Sequence, residues 1–261
     1  MNTQKPCLAV HKFSSCDGCQ LALLNLGEPL LDLAELIDII HFAEAGPMAP
    51  DRYADIALVE GSVATEEDLQ RIQSIRANTG FLISIGACAT SGGVQALRNM
   101  TDSNHWIKAI YAKPEYISLL QDSTPIAQHV HVDFEIWGCP VNSEQVVTAV
   151  RDLLSGVKPA KEPAALCLEC KRAGYSCVLV SKNEPCMGPV TLGGCGALCP
   201  SLGRACYSCY GPAELVNDAA LSQRFTQAGL SSTAIKQRFH LMNSQAPAFE
   251  QAGQKAQSMG K

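Results

Sequence analysis

Cys7-Leu8-Ala9-Val10-His11-Lys12-Phe13-Ser14-Ser15-Cys16-Asp17-Gly18-Cys19-Gln20 opens on a short apolar run, turns at two serines, and carries a C-x-x-C pair into a helical stretch that begins near Asp17. An apolar run bounded by turn residues and followed by helical periodicity reads as a strand feeding a helix. The same pattern recurs over about the first 155 residues. Residues 37–42, 55–59, 81–85 and 129–137 are four further strand candidates. The first helical stretch is broken by Gly27 and Pro29. Another helix opens at Thr65 with Glu66, Glu67 and Asp68 in its first turn, where carboxylates complement the helix dipole. Ser143, with Gln145 and Val146, opens one more that runs to about Leu154. Strands alternating with helices predict a parallel sheet covered on both faces, a doubly wound α/β domain of flavodoxin-like type.

The chain has 261 residues, 47% of them hydrophobic and 17% charged, with a formal net charge of −5. That length supports one large or two modest domains, and the composition excludes a disordered chain and argues against a basic nucleic-acid binder. Residues 1–6 hold no apolar signal core, cleavage site or twin arginine, and the apolar stretch 33–42 is interrupted by Glu35 and Asp38. The expectation is a cytoplasmic protein without membrane insertion, in a compartment where thiols stay reduced.

Residues 159–163, Pro-Ala-Lys-Glu-Pro, read as a linker, which gives a first domain at 1–158 and a second at 159–261. Within 164–212, Gly, Pro and Cys are many and aliphatics too few for a core of ordinary kind, so metal clusters are expected to staple the segment. Residues 213–242 read as two short helices divided at Gly229, and the last fifteen or so residues as a frayed tail.

Thirteen cysteines are an odd number and fit a closed disulfide framework poorly. Cys16 and Cys19 follow the first predicted strand, Cys88 the fourth and Cys139 the fifth, at the carboxyl edge where doubly wound sheets bind ligands. Four thiolates converging there suit a 4Fe–4S cube, and glycines such as Gly86, Gly92 and Gly93 let backbone N–H groups approach it. A zinc site with four cysteine ligands suits the same donors, and a redox C-x-x-C pair beside two buried cysteines is the plainer alternative. The other eight run Cys167-x2-Cys170-x6-Cys177-x8-Cys186 and Cys195-x3-Cys199-x6-Cys206-x2-Cys209. They make two sets of four soft ligands for iron–sulfur or zinc, and a zinc ribbon on the outer C-x-x-C pairs stays open. Cys7 lies inside a strand and reads as a buried small hydrophobe; His11, His41, His105, His129, His131 and His240 share no metal spacing, and His129 and His131 alternate on the fifth strand. Glu60 ends the third strand on the cysteine edge, and Lys171-Arg172 is a solvated pair that could steer an acidic redox partner.

These pieces together resemble the small, electron-transferring subunit of nickel–iron hydrogenases: Cys16-Asp17-Gly18-Cys19, Val59-Glu60-Gly61-Ser62, Gly86-Ala87-Cys88 with Gly92-Gly93, Gly138-Cys139-Pro140, Pro185-Cys186-Met187-Gly188-Pro189-Val190-Thr191, Cys195, and Cys206-x2-Cys209 before Gly211-Pro212. The resemblance covers about residues 5–212. It implies three 4Fe–4S clusters: proximal on Cys16, Cys19, Cys88 and Cys139; distal on Cys167, Cys170, Cys177 and Cys186; medial on Cys195, Cys199, Cys206 and Cys209. Cys167 stands where many periplasmic relatives have histidine, and Cys199 where many have proline, so the resemblance is to the soluble branch near sulfhydrogenase delta subunits. It implies a catalytic nickel–iron large subunit, with flavin/NAD(P) diaphorase-type and iron–sulfur subunits as partners. Acceptors of deazaflavin or heterodisulfide reductase type are the alternative. It also implies a place for Glu60 in proton passage beside the proximal cluster. A complex I-type quinone-reducing subunit and a zinc-stabilised interaction protein are the rival readings.

Overall fold

The computed structural model describes residues 5–161 and 164–258. Residues 1–4 of the N-terminal stretch, Glu162 and Pro163 of the expected linker, and residues 259–261 of the expected tail lie outside it. The chain divides into two compact units, residues 1–136 with 140–160, and residues 161–261 with 137–139.

The first unit runs β1 (Cys7–Lys12), α1 (Gly18–Leu24), α2 (Glu28–Leu36), β2 (Asp38–Phe42), β3 (Ala54–Glu60), α3 (Glu66–Ala77), β4 (Thr79–Ile85), α4 (Gly86–Ser91), α5 (Ser103–Ile110), β5 (Phe134–Ile136) and α6 (Ser143–Leu154). The strands form one sheet in the order β2-β1-β3-β4-β5, every pairing parallel. Successive strand side chains point to opposite faces. Leu8, Val10, Ile56, Leu58, Ile83 and Ile85 therefore enter one core with Leu23, Leu33, Val146 and Val150 of α1, α2 and α6. Ala57, Val59 and Leu82 enter the other with Ile72 and Ile75 of α3. Each buried aliphatic contributes roughly 1.5–3 kcal/mol against leaving it in water, and both faces are covered, as the sequence predicts.

Local chemistry sets the ends of these elements. Thr65 caps α3: Asp68 N donates to Thr65 Oγ1 at 3.0 Å while Thr65 N donates to Asp68 Oδ2 at 3.2 Å, a reciprocal capping box. Gly27, at φ 65°, makes the corner after α1, and Pro29 then opens α2, in the first turn where its missing N–H is not needed. The fifth strand is shorter than expected, three residues in place of 129–137. Asp133 explains the loss: its carboxylate accepts from Leu82 N at 2.8 Å and from Arg76 Nη1 at 2.5 Å, which pins the chain just before β5. His129 and His131 are thus not on a strand. His129 follows a 3₁₀ turn over Ile126–Gln128, its Nε2 2.7 Å from Thr124 Oγ1, and the His131 side chain is exposed.

The second unit runs α7 (Leu166–Arg172), α8 (Val178–Ser181), α9 (Leu198–Ser201), α10 (Asp218–Gln227), α11 (Ser232–Asn243) and α12 (Pro247–Ser258). Up to residue 217 it is mostly irregular, with short helical turns. Two expectations are corrected. The segment does reach an apolar core, where Leu166, Val178, Met187 and Val190 meet Leu221, Phe225, Ile235, Phe239 and Phe249 of the three closing helices. The expected frayed tail is α12, an ordered helix from residue 247 on that buries Phe249, Ala252, Gly253 and Ala256. Phe249 meets Phe239 edge-on with ring centroids 5.9 Å apart, and Gly253 lies so close to the His240 ring that no Cβ would fit. Small residues at that spacing make a packing face that composition alone hides. Gly211, at φ 74°, likewise approaches the Trp137 ring too closely for any side chain, which holds residues 137–139 in this unit. Among the described residues no helix is long and apolar enough to cross a membrane.

Candidate cluster sites

In the first unit Cys16 follows β1, Cys19 sits in the first turn of α1, and Cys88 sits in α4 directly after β4. Cys16 is exposed, Cys19 buried and Cys88 half-buried, and none of the thirteen cysteines is in a disulfide. Glu60, at the end of β3, is 2% exposed. Its Oε1 accepts from Cys19 N at 3.0 Å and its Oε2 from Gln20 N at 3.2 Å, taking up amides that a helix's first turn leaves without partners. Burial pushes the Glu60 carboxyl above its ordinary range, and the Cys19 and Gln20 N–H groups oppose that shift. A residue that carries no sequence signal, Gln95, places Oε1 3.2 Å from Cys88 Sγ and donates from Nε2 to Ser14 O at 3.2 Å. Bare backbone flanks the sulfurs: a Cβ on Gly93 would stand 2.8 Å from Cys88 Sγ, and one on Gly18 3.3 Å from Cys16 Sγ. Cys139, the fourth residue expected here, lies three positions past β5 in the short segment that belongs to the second unit.

The second unit holds nine cysteines, Cys139 among them, and several of their thiols act on their neighbours. Burial, then the neighbouring Cys186, Cys170 and Cys177 thiols, push Cys167 up to about 11. Burial, then Cys195, Cys139 and Cys199, push Cys209 up to about 12. Burial raises Cys206 as well, against the Ser208 N–H that donates to its sulfur at 3.3 Å. A Cβ on Gly188 would meet Cys186 Sγ at 3.4 Å and Cys167 Sγ at 3.5 Å, so both sulfurs border the same bare backbone. The Cys206 N–H donates to Cys186 Sγ at 3.2 Å. Desolvated thiols that repel one another's ionisation become thiolates together only around a cationic centre. Soft sulfur donors, close glycines and N–H groups aimed at sulfur fit iron–sulfur ligation. Among the described residues no three or more His, Cys, Asp or Glu side chains group closely enough to hold a single metal ion.

The sequence profile of the "NADH ubiquinone oxidoreductase, 20 Kd subunit" family matches residues 16–153, more than half of the chain. Sulfhydrogenase 2 subunit delta of Pyrococcus furiosus is 40% identical over 205 residues, 78% of this chain and 86% of that protein. The chain belongs to this oxidoreductase family, and within it to the small hydrogenase subunits. The profile covers the α/β part, whereas the similarity between the two hydrogenase subunits runs over 78% of this chain. One subunit of the F420-non-reducing hydrogenase of Methanothermobacter marburgensis is 30% identical over 242 residues, 78% of this chain and 77% of that protein. The crystal structure of an NAD+-reducing [NiFe]-hydrogenase in the H2-reduced state contains a chain that superposes with a TM-score of 0.56 at 27% identity, over 61% of this chain and 96% of that one. This hydrogenase subunit is therefore part of an oxidoreductase, and its cysteine complement is that of an iron–sulfur protein.

Proposed function

We propose that this chain is the electron relay of a soluble, cytoplasmic nickel–iron hydrogenase and holds three 4Fe–4S clusters. Cys16, Cys19, Cys88 and Cys139 hold the proximal one, Cys195, Cys199, Cys206 and Cys209 the medial, and Cys167, Cys170, Cys177 and Cys186 the distal. The observation that carries this reading is the pattern of thiol neighbours in the second unit, with Cys186, Cys170 and Cys177 around Cys167, and Cys195, Cys139 and Cys199 around Cys209, so that Cys139 of the proposed proximal set also neighbours the proposed medial one. Bound clusters supply one-electron exchange at potentials set by hydrogen bonds to sulfur, net charge and burial. The protein's part is placement and tuning: Glu60 fixes the start of α1 and with it Cys19.

Dihydrogen is split in a partner large subunit, and this chain passes electrons on to a flavin subunit that uses NAD(P), together with iron–sulfur subunits. The likeness to an NAD+-reducing hydrogenase supports that acceptor. The alternative is the same relay serving a deazaflavin or heterodisulfide reductase acceptor, and the 30% identity to a subunit of an F420-non-reducing hydrogenase supports, of these, an acceptor other than F420. The burial of Glu60 beside Cys19, which pushes its carboxyl up, supports the reading that it holds and releases a proton.

Anaerobic purification of the complex, identification of its subunits, and EPR after exposure to dihydrogen test the proposal. A large subunit, a flavoprotein with a nucleotide site and dihydrogen-dependent cluster signals are expected. A chain purified with no hydrogenase large subunit, or with dihydrogen leaving the spectrum unchanged, overturns it. Glu60→Gln is expected to slow both turnover and dihydrogen/deuterium exchange, and unchanged values for both remove Glu60 from proton passage.

A further inference from the structure

Glu169 stands on α7 between two of the proposed distal ligands, in Cys167-Leu168-Glu169-Cys170. Its carboxylate is used elsewhere. Oε1 accepts from Gly194 N at 2.5 Å and Oε2 from Ala197 N at 2.9 Å. Those two amides bracket Cys195, the first proposed medial ligand, so one side chain ties the loop of one cysteine set to the helix of the other. The surroundings are shaped to this contact. A Cβ on Gly193 would stand 3.0 Å from Glu169 Oε1, and Ala197 is held at φ 54°, a left-handed conformation that a non-glycine residue keeps only when its neighbours impose it. Both partners are uncharged amides, and among the described residues Glu169 forms no ion pair, so its negative charge is not cancelled by a cation at contact distance. The carboxylate thus sits beside both sets: Glu169 directly precedes Cys170 on α7, and the two amides it binds flank Cys195.

We infer that Glu169 is a positioning residue that locks the Cys195 loop onto α7 and, through its fixed charge, holds down the potentials of the two clusters on either side of it. The inference rests on the cluster reading proposed above. Charge-assisted N–H bonds to a carboxylate are about twice as strong as neutral ones, which suits the locking. A nearby negative charge disfavours adding an electron, most strongly where water is scarce. Because one charge faces both sets, the two potentials move in the same direction when it is removed, and the difference between them changes less than either.

The test uses the complex purified anaerobically, comparing wild type with Glu169→Gln by iron and sulfide analysis and EPR-monitored redox titration. Glutamine keeps the size and removes the charge. The expected result is full iron content, two of three midpoint potentials shifted positive by up to about tenfold in the reduction equilibrium (~59 mV for one electron), and the third unmoved. Full iron content with no positive shift, with only one cluster moved, or with all three moved equally overturns the inference. Should the Gln variant lose iron, Glu169→Asp decides: full iron at wild-type potentials supports a role for the charge, and loss of iron there too overturns the tuning role. Wild-type protein without iron would instead strike the cluster reading itself, an outcome distinct from all of these.

Discussion

In the first unit Leu58 and Val59 are neighbours in the chain and enter opposite cores, because β3 is covered on both faces. In the second unit, residues 164–212 reach their core only at separated points, among them Leu166, Val178, Met187 and Val190, and eight cysteines are spread along the same stretch. The first arrangement fixes every strand residue by packing and ladder hydrogen bonds. The second fixes anchors and leaves the intervening backbone to side-chain contacts such as Glu169 to Gly194 and Ala197, and to whatever joins the thiols. Continuous periodic burial makes a fold that needs no ligand, whereas burial at isolated points makes one that a ligand completes.

Four perturbations are expected to act differently on the two units. The largest effect is expected from anaerobic removal of iron by chelation. Amide hydrogen exchange is expected to become fast across residues 164–212 while β1, β3 and β4 keep their protection; equal loss in both units contradicts the contrast. Next is pH. His11, 4% exposed on β1, is held down at about 3 by burial first, then by His41 and Arg71. The unfolded chain binds a proton on this residue near 6.5 and the native chain does not until about 3. Stability of the first unit is therefore full above that upper value and falls as pH drops through the window, by roughly 5 kcal/mol at its lower end. Urea melts across that range are expected to show the slope in wild type and a flatter one in His11→Gln, and identical slopes would remove His11 from the account. Phe249→Ala, which empties the contact with Phe239, is expected to cost about 3–5 kcal/mol. Its effect belongs to the second unit alone, read as earlier fluorescence or exchange transitions there and unchanged ones in the sheet. The smallest is Thr65→Ala, which removes the α3 cap and is expected to cost about 1 kcal/mol in the first unit; a loss several times larger would mean that the cap also holds the neighbouring loop.

Much of the first unit is legible in the sequence because its signals are periodic or local. The apolar runs of β1 to β4, the Thr65–Asp68 cap and the helix opening at Ser143 all announce themselves within a few residues. Where long-range contacts decide, the sequence is silent. The fifth strand shrinks because Asp133 bonds Leu82 and Arg76, 51 and 57 residues away. Helix α12 is hidden because three of its four packing residues are Ala252, Gly253 and Ala256, which look neutral by composition yet allow the close approach to His240. The cysteines are legible as candidate ligands by residue type and spacing. The side chains that position the backbone around them, Glu60 and Glu169, bond to amides far away in sequence, partners that leave no motif behind.

Whether twelve of the thirteen cysteines serve three iron–sulfur clusters is read from iron, acid-labile sulfide and zinc per chain in anaerobically purified protein. Three clusters require about twelve iron and about twelve sulfide, from four of each per 4Fe–4S cluster, with zinc at background. About four iron atoms per chain, or zinc in place of iron, would contradict the three clusters.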